Sequence, residues 1–110
     1  MEMSETFSKS EIFDMNKMIE YSKGGVVSKQ VLKTGAGNIT LFSFDKAQGL
    51  SEHSAPFDAF VQIIEGKAEI LINKEPFLLR AGESIIMPAN VPHSLKAVEK
   101  FKMLLTMIKG

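Results

Sequence analysis

The chain has 110 residues, room for one domain around one core, and its 45% hydrophobic and 24% charged residues are an ordinary globular composition. Lys plus Arg and Asp plus Glu are equal at 13 each and no stretch gathers more than a few like charges, which argues against nucleic acid and anionic membrane as partners. Cys is absent, so disulfides, thiolate metal sites and cysteine nucleophiles are excluded.

The opening MEMSETFSKS has no apolar run between a basic start and a small-residue cleavage site, and no stretch approaches the ~20 apolar residues that span a bilayer. The expected location is the cytoplasm. Residues 1–13 are polar and Ser-rich, and are expected to fray or to form a short first strand unless they dock. Asp14 can cap a brief helix through Met15, Met18 and Ile19, because its carboxylate accepts orphan N–H groups of the first turn, with Gly24 and Gly25 stopping it.

From there β-branched and aromatic residues recur in short runs broken by Gly, Pro and Asn, the pattern of an all-β sandwich or barrel. Strands are predicted over residues 26–33, 38–44, 50–53, 57–64, 68–72, 76–79, 84–87, 93–98 and 101–108, within one domain whose core is about 26–108. Turns fall at 35–38, 65–67 and 73–75, each with a residue tolerant of positive φ, and the one around Gly66 reads as a tight hairpin. In the last strand Phe101, Met103, Leu105 and Met107 share one face. Strand 57–64 carries Phe57, Ala59, Val61 and Ile63 on one face and Phe60 and Ile64 on the other, so burial on both sides is expected, by a partner subunit or by the N-terminal segment.

Gly49 is followed by Leu50, Ser51, Glu52 and His53, then Ala55, Pro56, Phe57 and Asp58, and this stretch closes at Gly66. Downstream Gly82 opens GESIIMPANVPH, with Pro88, Pro92 and His93. The prolines lack a donor, break the ladder and aim His93 inward, and a barrel can bring His53 and His93 together because inward side chains of neighbouring strands share an interior layer. Over residues 49–97 these two motifs resemble those of the cupin superfamily. The resemblance implies an all-β double-stranded β-helix, or jelly-roll, barrel with a short N-terminal helix, and a homodimer.

In metal-binding cupins the first motif supplies two His and a Glu and the second a third His. Here His53 and His93 fill the first and last positions, while Ala55 takes the second His position and Ala59 that of the Glu. A methyl group cannot coordinate, and two imidazoles fall short of the three or four protein ligands of Zn sites or the two-His, one-carboxylate iron triad. Asp58 would need a bulge after Pro56 to turn inward, Glu52 has the same difficulty beside His53, and Met87, Met103 and Met107 could offer sulfur to copper, although packing is the commoner use of buried Met.

The two alanines free interior volume that Phe42 or Phe44, a Met, water or a ligand must fill. The expectation is a small-molecule-binding barrel with an incomplete metal site at His53 and His93, lined by Phe44, Ala55, Asp58, Ala59, Met87 and Met103. The imidazole nitrogens should approach within roughly 3 to 6 Å. Any cofactor would be a divalent metal, Fe, Mn, Ni or Zn, weakly bound; the alternative is a metal-dependent enzyme of dioxygenase or isomerase type using the same two histidines. Cupins also include decarboxylases, sugar-binding regulator domains and seed-storage proteins, so fold alone does not choose.

Overall fold

The computed structural model describes residues 7–109, whose nine strands are β1 (Val26–Thr34), β2 (Gly37–Phe44), β3 (Gly49–His53), β4 (Asp58–Glu65), β5 (Lys67–Ile72), β6 (Glu75–Arg80), β7 (Ser84–Met87), β8 (His93–Ala97) and β9 (Phe101–Ile108). One sheet has five strands in the order β1-β2-β9-β4-β7, the other four in the order β3-β8-β5-β6, and all pairings are antiparallel. This is an all-β, jelly-roll barrel. Alternation along the strands places Ala59, Val61, Ile63, Phe101 and Met103 between the sheets, where they pack with Phe44, Ala68, Ile70 and Leu95.

Phe101 stacks on Phe44 with ring centroids 4.6 Å apart, and Phe44 on Phe42 at 5.8 Å. The three rings belong to adjacent strands because β2 pairs with β9 through Phe44↔Phe101 and Phe42↔Met103. Such cross-strand aromatic pairs reinforce the register as well as the core.

A second, smaller cluster lies outside the five-stranded sheet. Phe7 and Ile19 cover Leu41, with Met18, Val27, Val31, Ile64 and Leu104 around them. Lys102, on the same outer face and only 7% exposed, reaches up to the covering segment, its Nζ donating to the backbone and side-chain oxygens of Asn16 at 2.7 and 2.9 Å. Tyr21 donates its hydroxyl to Glu65 at 2.5 Å; burial, then this bond, pushes the phenol pKa well up, and the same bond holds the Glu65 carboxyl down.

Of the segment 1–13, expected to fray or form a strand unless docked, residues 1–6 lie outside the described residues, residues 7–13 form no strand, and Phe7 docks. Two expectations are corrected here. The predicted helix is a single 3₁₀ turn, Met15–Lys17, capped by Asp14 through the Asn16 N–H at 3.0 Å; it ends at Met18, well before Gly24 and Gly25, because Met18 and Ile19 are drawn into the apolar cluster. Gly66 does not close a hairpin. It is the corner where the chain leaves the five-stranded sheet for the four-stranded one, at φ +84, and a Cβ there would collide with the Lys100 carbonyl and the Phe101 Cα.

The turn at 73–75 is a true hairpin: Asn73 and Lys74 both have positive φ, as a two-residue primed turn requires, and join β5 to β6. Strand β4 is buried on its inner face throughout, but outward only Ile64 is covered, by the N-terminal segment; Phe60 stays 38% exposed.

Candidate functional site

The barrel interior opens at one end into a cavity of about 220 Å³ lined by Phe42, Leu50, His53, Ala55, Ala59, Met87, His93, Leu95, Met103, Leu105 and Met107. Apart from the two imidazoles these walls are carbon and thioether sulfur. Seven segments of chain converge here, with β8 and β3 supplying the histidines and β9 the largest share of the apolar wall.

Local backbone irregularity puts His53 in place. On β3, Leu50 pairs with Leu95 of β8 and faces the cavity; strict alternation would turn His53, three residues later, to the outside. The register shifts between Leu50 and His53, so that His53 pairs directly with His93 and recovers the inward face. Across β8 the segment between Met87 and His93 is held by Asn90 N–H donating to the Ala55 carbonyl at 2.7 Å and Asn73 N–H donating to Pro92 at 2.8 Å. Pro88 and Pro92 fall in this break between β7 and β8, and Asn90 takes a positive φ there.

The two Nε2 atoms stand 3.2 Å apart, inside the predicted 3 to 6 Å, with ring centroids at 4.4 Å and planes at 69°. Burial of the two rings is unequal. His93 is 6% exposed, whereas His53 sits exposed at the mouth with only its Nε2 edge turned inward. Burial lowers the His93 pKa below its ordinary value against the opposing effect of the Val91 carbonyl, so the ring favours its neutral form.

Both tautomers follow from the backbone. His53 Nδ1 lies 2.8 Å from the Ser51 carbonyl and His93 Nδ1 3.2 Å from that of Val91; a carbonyl oxygen only accepts, so each Nδ1 carries the proton. The two Nε2 atoms, turned toward one another at 3.2 Å, are hydrogen-bond partners of each other.

Among the expected site residues, His53, His93, Ala55, Ala59, Met87 and Met103 line the cavity together. Phe44 and Asp58 do not. Phe44 is fully buried one step deeper, held in the aromatic stack between Phe42 and Phe101. Asp58 opens β4 facing outward, and its Oδ1 accepts the Ala89 N–H at 2.9 Å, so it pins the loop before β8 and leaves the interior without a carboxylate. Phe42, Leu50, Leu95, Leu105 and Met107 complete the wall; strand parity with Met103 already pointed to Leu105 and Met107, whereas Leu50 needed the bulge to be located.

A three-His, one-carboxylate metal shell does not fit these residues. Among the described residues no three His, Cys, Asp or Glu side chains group as ligands, and Glu52 is exposed on β3 outside the cavity.

The cupin domain family model matches residues 40–109. A conserved protein of unknown function from Streptococcus pyogenes superposes with a TM-score of 0.91 at 35% identity, covering 100% of this chain and 96% of that one. A cupin 2 conserved barrel domain protein from Leptotrichia buccalis superposes at 0.86 with 37% identity over 88% of this chain, which spans only 47% of that longer one. An uncharacterized protein of Aquifex aeolicus (strain VF5) is 26% identical over 101 residues, 90% of this chain and 84% of that protein. With two motifs, a barrel and a matching family model that agree, this chain belongs to the cupin family.

Proposed function

We propose that this cupin is a binding barrel for a compact, largely apolar small molecule, held where His53 and His93 meet the cavity, and that it works without a resident metal. The observation that carries this reading is the pair of imidazoles, their Nε2 atoms 3.2 Å apart, at the rim of a cavity of about 220 Å³ that is otherwise apolar. Such a cavity suits hydrophobic burial of a ligand with one or two polar groups fixing its orientation. No nucleophile with an adjacent base lines it, so binding is favoured over covalent catalysis.

The alternative, a metal-dependent enzyme using the same pair, draws support from one distance. Neighbouring nitrogens on a tetrahedral zinc with bonds of about 2.0 Å stand about 3.3 Å apart, close to the 3.2 Å between the Nε2 atoms. Against it stand the missing third and fourth ligands. Protein purified without added metal is expected to hold clearly less than one equivalent of Fe, Mn, Ni or Zn per chain, and toluene is expected to shift the methyl resonances of Met87, Met103 and Met107. Stoichiometric metal surviving a chelator would replace the binding reading with the enzymatic one.

Pairing of the barrel with a second copy belongs to the same proposal. Phe60 on β4 and Ile86 on β7 are cross-strand partners and 38% and 61% exposed, and Ile108 on the adjoining β9 is 60% exposed, at the sheet edge that the N-terminal segment leaves bare. Ile12, fully exposed on that segment, offers a matching apolar side chain to a neighbour. Light scattering at micromolar concentration is expected to give a dimer, and Phe60→Lys with Ile86→Lys a monomer of unchanged fold; a wild-type monomer would remove the proposal. A cytoplasmic location accompanies this reading, and among the described residues no helix is long and apolar enough to cross a membrane.

A further inference from the structure

We infer that the paired imidazoles and the cavity thioethers together form a site for a soft monovalent cation of the Cu⁺ class, held by Nε2 of His53, Nε2 of His93 and the sulfur of Met87 or Met107. The inference goes beyond the apolar-ligand reading: the ion is an exchangeable ligand of the same mouth, taken up when supplied, and not a resident divalent metal.

The nitrogens come first. At 3.2 Å the two Nε2 atoms are near enough for one ion to touch both at about 2.0 Å, the length of a metal–imidazole bond. Each ring is already held through its other nitrogen, Nδ1 of His53 at 2.8 Å from the Ser51 carbonyl and Nδ1 of His93 at 3.2 Å from that of Val91, the outer-shell contact that orients ligating imidazoles. An ion in this place replaces the hydrogen bond between the rings and meets the two nitrogens at a bent angle, close to tetrahedral. Two nitrogens in a line can satisfy Cu⁺ alone; a bent pair calls for a third donor.

Sulfur is what the cavity offers for it. Met87, Met103 and Met107 line the same space as the histidines, and Met87 on β7 and Met107 on β9 are the cross-strand partners of Ala59 on either side. Facing Cβ atoms in such pairs stand about 4.5–5.5 Å apart, and the Ala59 methyl leaves the space between clear, so that either unbranched thioether can turn toward the rings. The donor set also selects the ion. Among the described residues no three His, Cys, Asp or Glu side chains group as ligands, so a hard divalent ion would find no carboxylate and would bring a double charge into an apolar cavity with only neutral donors. Imidazole with thioether, and a single charge to bury, suit Cu⁺.

Ag⁺ shares the charge and softness of Cu⁺ and does not oxidise in air, so silver nitrate in chloride-free buffer is the probe, with zinc nitrate as the divalent control. Calorimetry on the wild-type protein is expected to give one Ag⁺ per chain, bound at least about 100-fold tighter than Zn²⁺, with the ε-methyl resonance of Met87 or Met107 displaced. Met87→Leu together with Met107→Leu conserves volume, and a cooperative thermal melt checks its fold; it should weaken Ag⁺ at least about tenfold, and each single variant repeats the measurement if the pair does not melt cooperatively. His53→Leu, at the exposed ring, should abolish the site without putting the core at stake. Ag⁺ held as tightly by the methionine variants, Zn²⁺ held as tightly as Ag⁺, or no Ag⁺ held at all would each overturn the inference. Toluene bound by the wild-type protein in that event keeps the apolar binding reading in place, whereas failure of both Ag⁺ and toluene to bind removes the two readings together.

Discussion

Restoring the two absent ligands, Ala55→His together with Ala59→Glu, is expected to convert a chain that holds little metal into one that binds a divalent ion stoichiometrically, with an affinity gain of at least about 100-fold, the scale that outer-shell partners alone command. Both alanines line the cavity beside His53 and His93, and Ala59 is buried on β4 across from Met87 and Met107. The cavity of about 220 Å³ leaves room for an imidazole and a carboxylate without disturbing the aromatic stack. Without metal the new Glu is a buried charge with no partner, so the variant should be less stable than wild type. With metal at about 1,000 times its dissociation constant, linkage should return about 4 kcal/mol. Thermal melts with and without Mn or Zn read both effects in one experiment. A variant that neither gains metal nor shows a metal-dependent rise in melting temperature would mean that Ala55 and Ala59 do not stand where ligands would.

The strands were legible because nearly every one is bounded by residues whose backbone preference is strong. Asn73 with Lys74, and Gly82 before β7, mark turns that no β-branched residue would tolerate, and the observed bounds of each strand lie within one residue of those expected. What local pattern cannot tell is which sheet a strand joins. Glu65, Gly66 and Lys67 look like any short hairpin, yet β4 and β5 part company there, because what Gly66 supplies is close approach to Lys100 rather than a turn between partners. Pairing is a long-range property, and a positive φ is compatible with a hairpin and a corner alike.

The same limit explains the site. His53 and His93 come together because the register slips by one residue between Leu50 and His53, and neither Ser51 nor Glu52 announces a bulge. Their convergence was foreseen from the motif, whereas parity counted from Leu50 would have put His53 outside. Asp58 failed as a lining residue for the converse reason: β4 runs regularly from its first residue, and Ala89 N–H offers the carboxylate an external partner. The tautomers were beyond reach of sequence, since they depend on the carbonyls of Ser51 and Val91, and backbone carbonyls are common to every residue.

Phe101→Ala should cost about 3–5 kcal/mol, a large part of the roughly 5–15 kcal/mol that holds a domain folded. Phe101 is fully buried at the start of β9, its ring parallel to that of Phe44 within 11°. Relaxation into the space is hindered on the backbone side, since the Phe101 Cα and the Lys100 carbonyl already press against Gly66 at the corner between the sheets. On the side-chain side, Phe44 is itself held by Phe42, whose ring borders the ligand cavity, so any shift that fills the void would reshape that wall. The cost should therefore sit toward the upper end of the range, and Phe101→Leu, which keeps most of the apolar volume, should lose less than half as much. Urea unfolding measures both, and a double-mutant cycle with Phe44→Ala should return a coupling of about 0.5–1.5 kcal/mol for the stacked pair. A loss below about 1 kcal/mol for Phe101→Ala would show that the barrel repacks freely behind the site, and that the aromatic stack does not hold Phe42 in place.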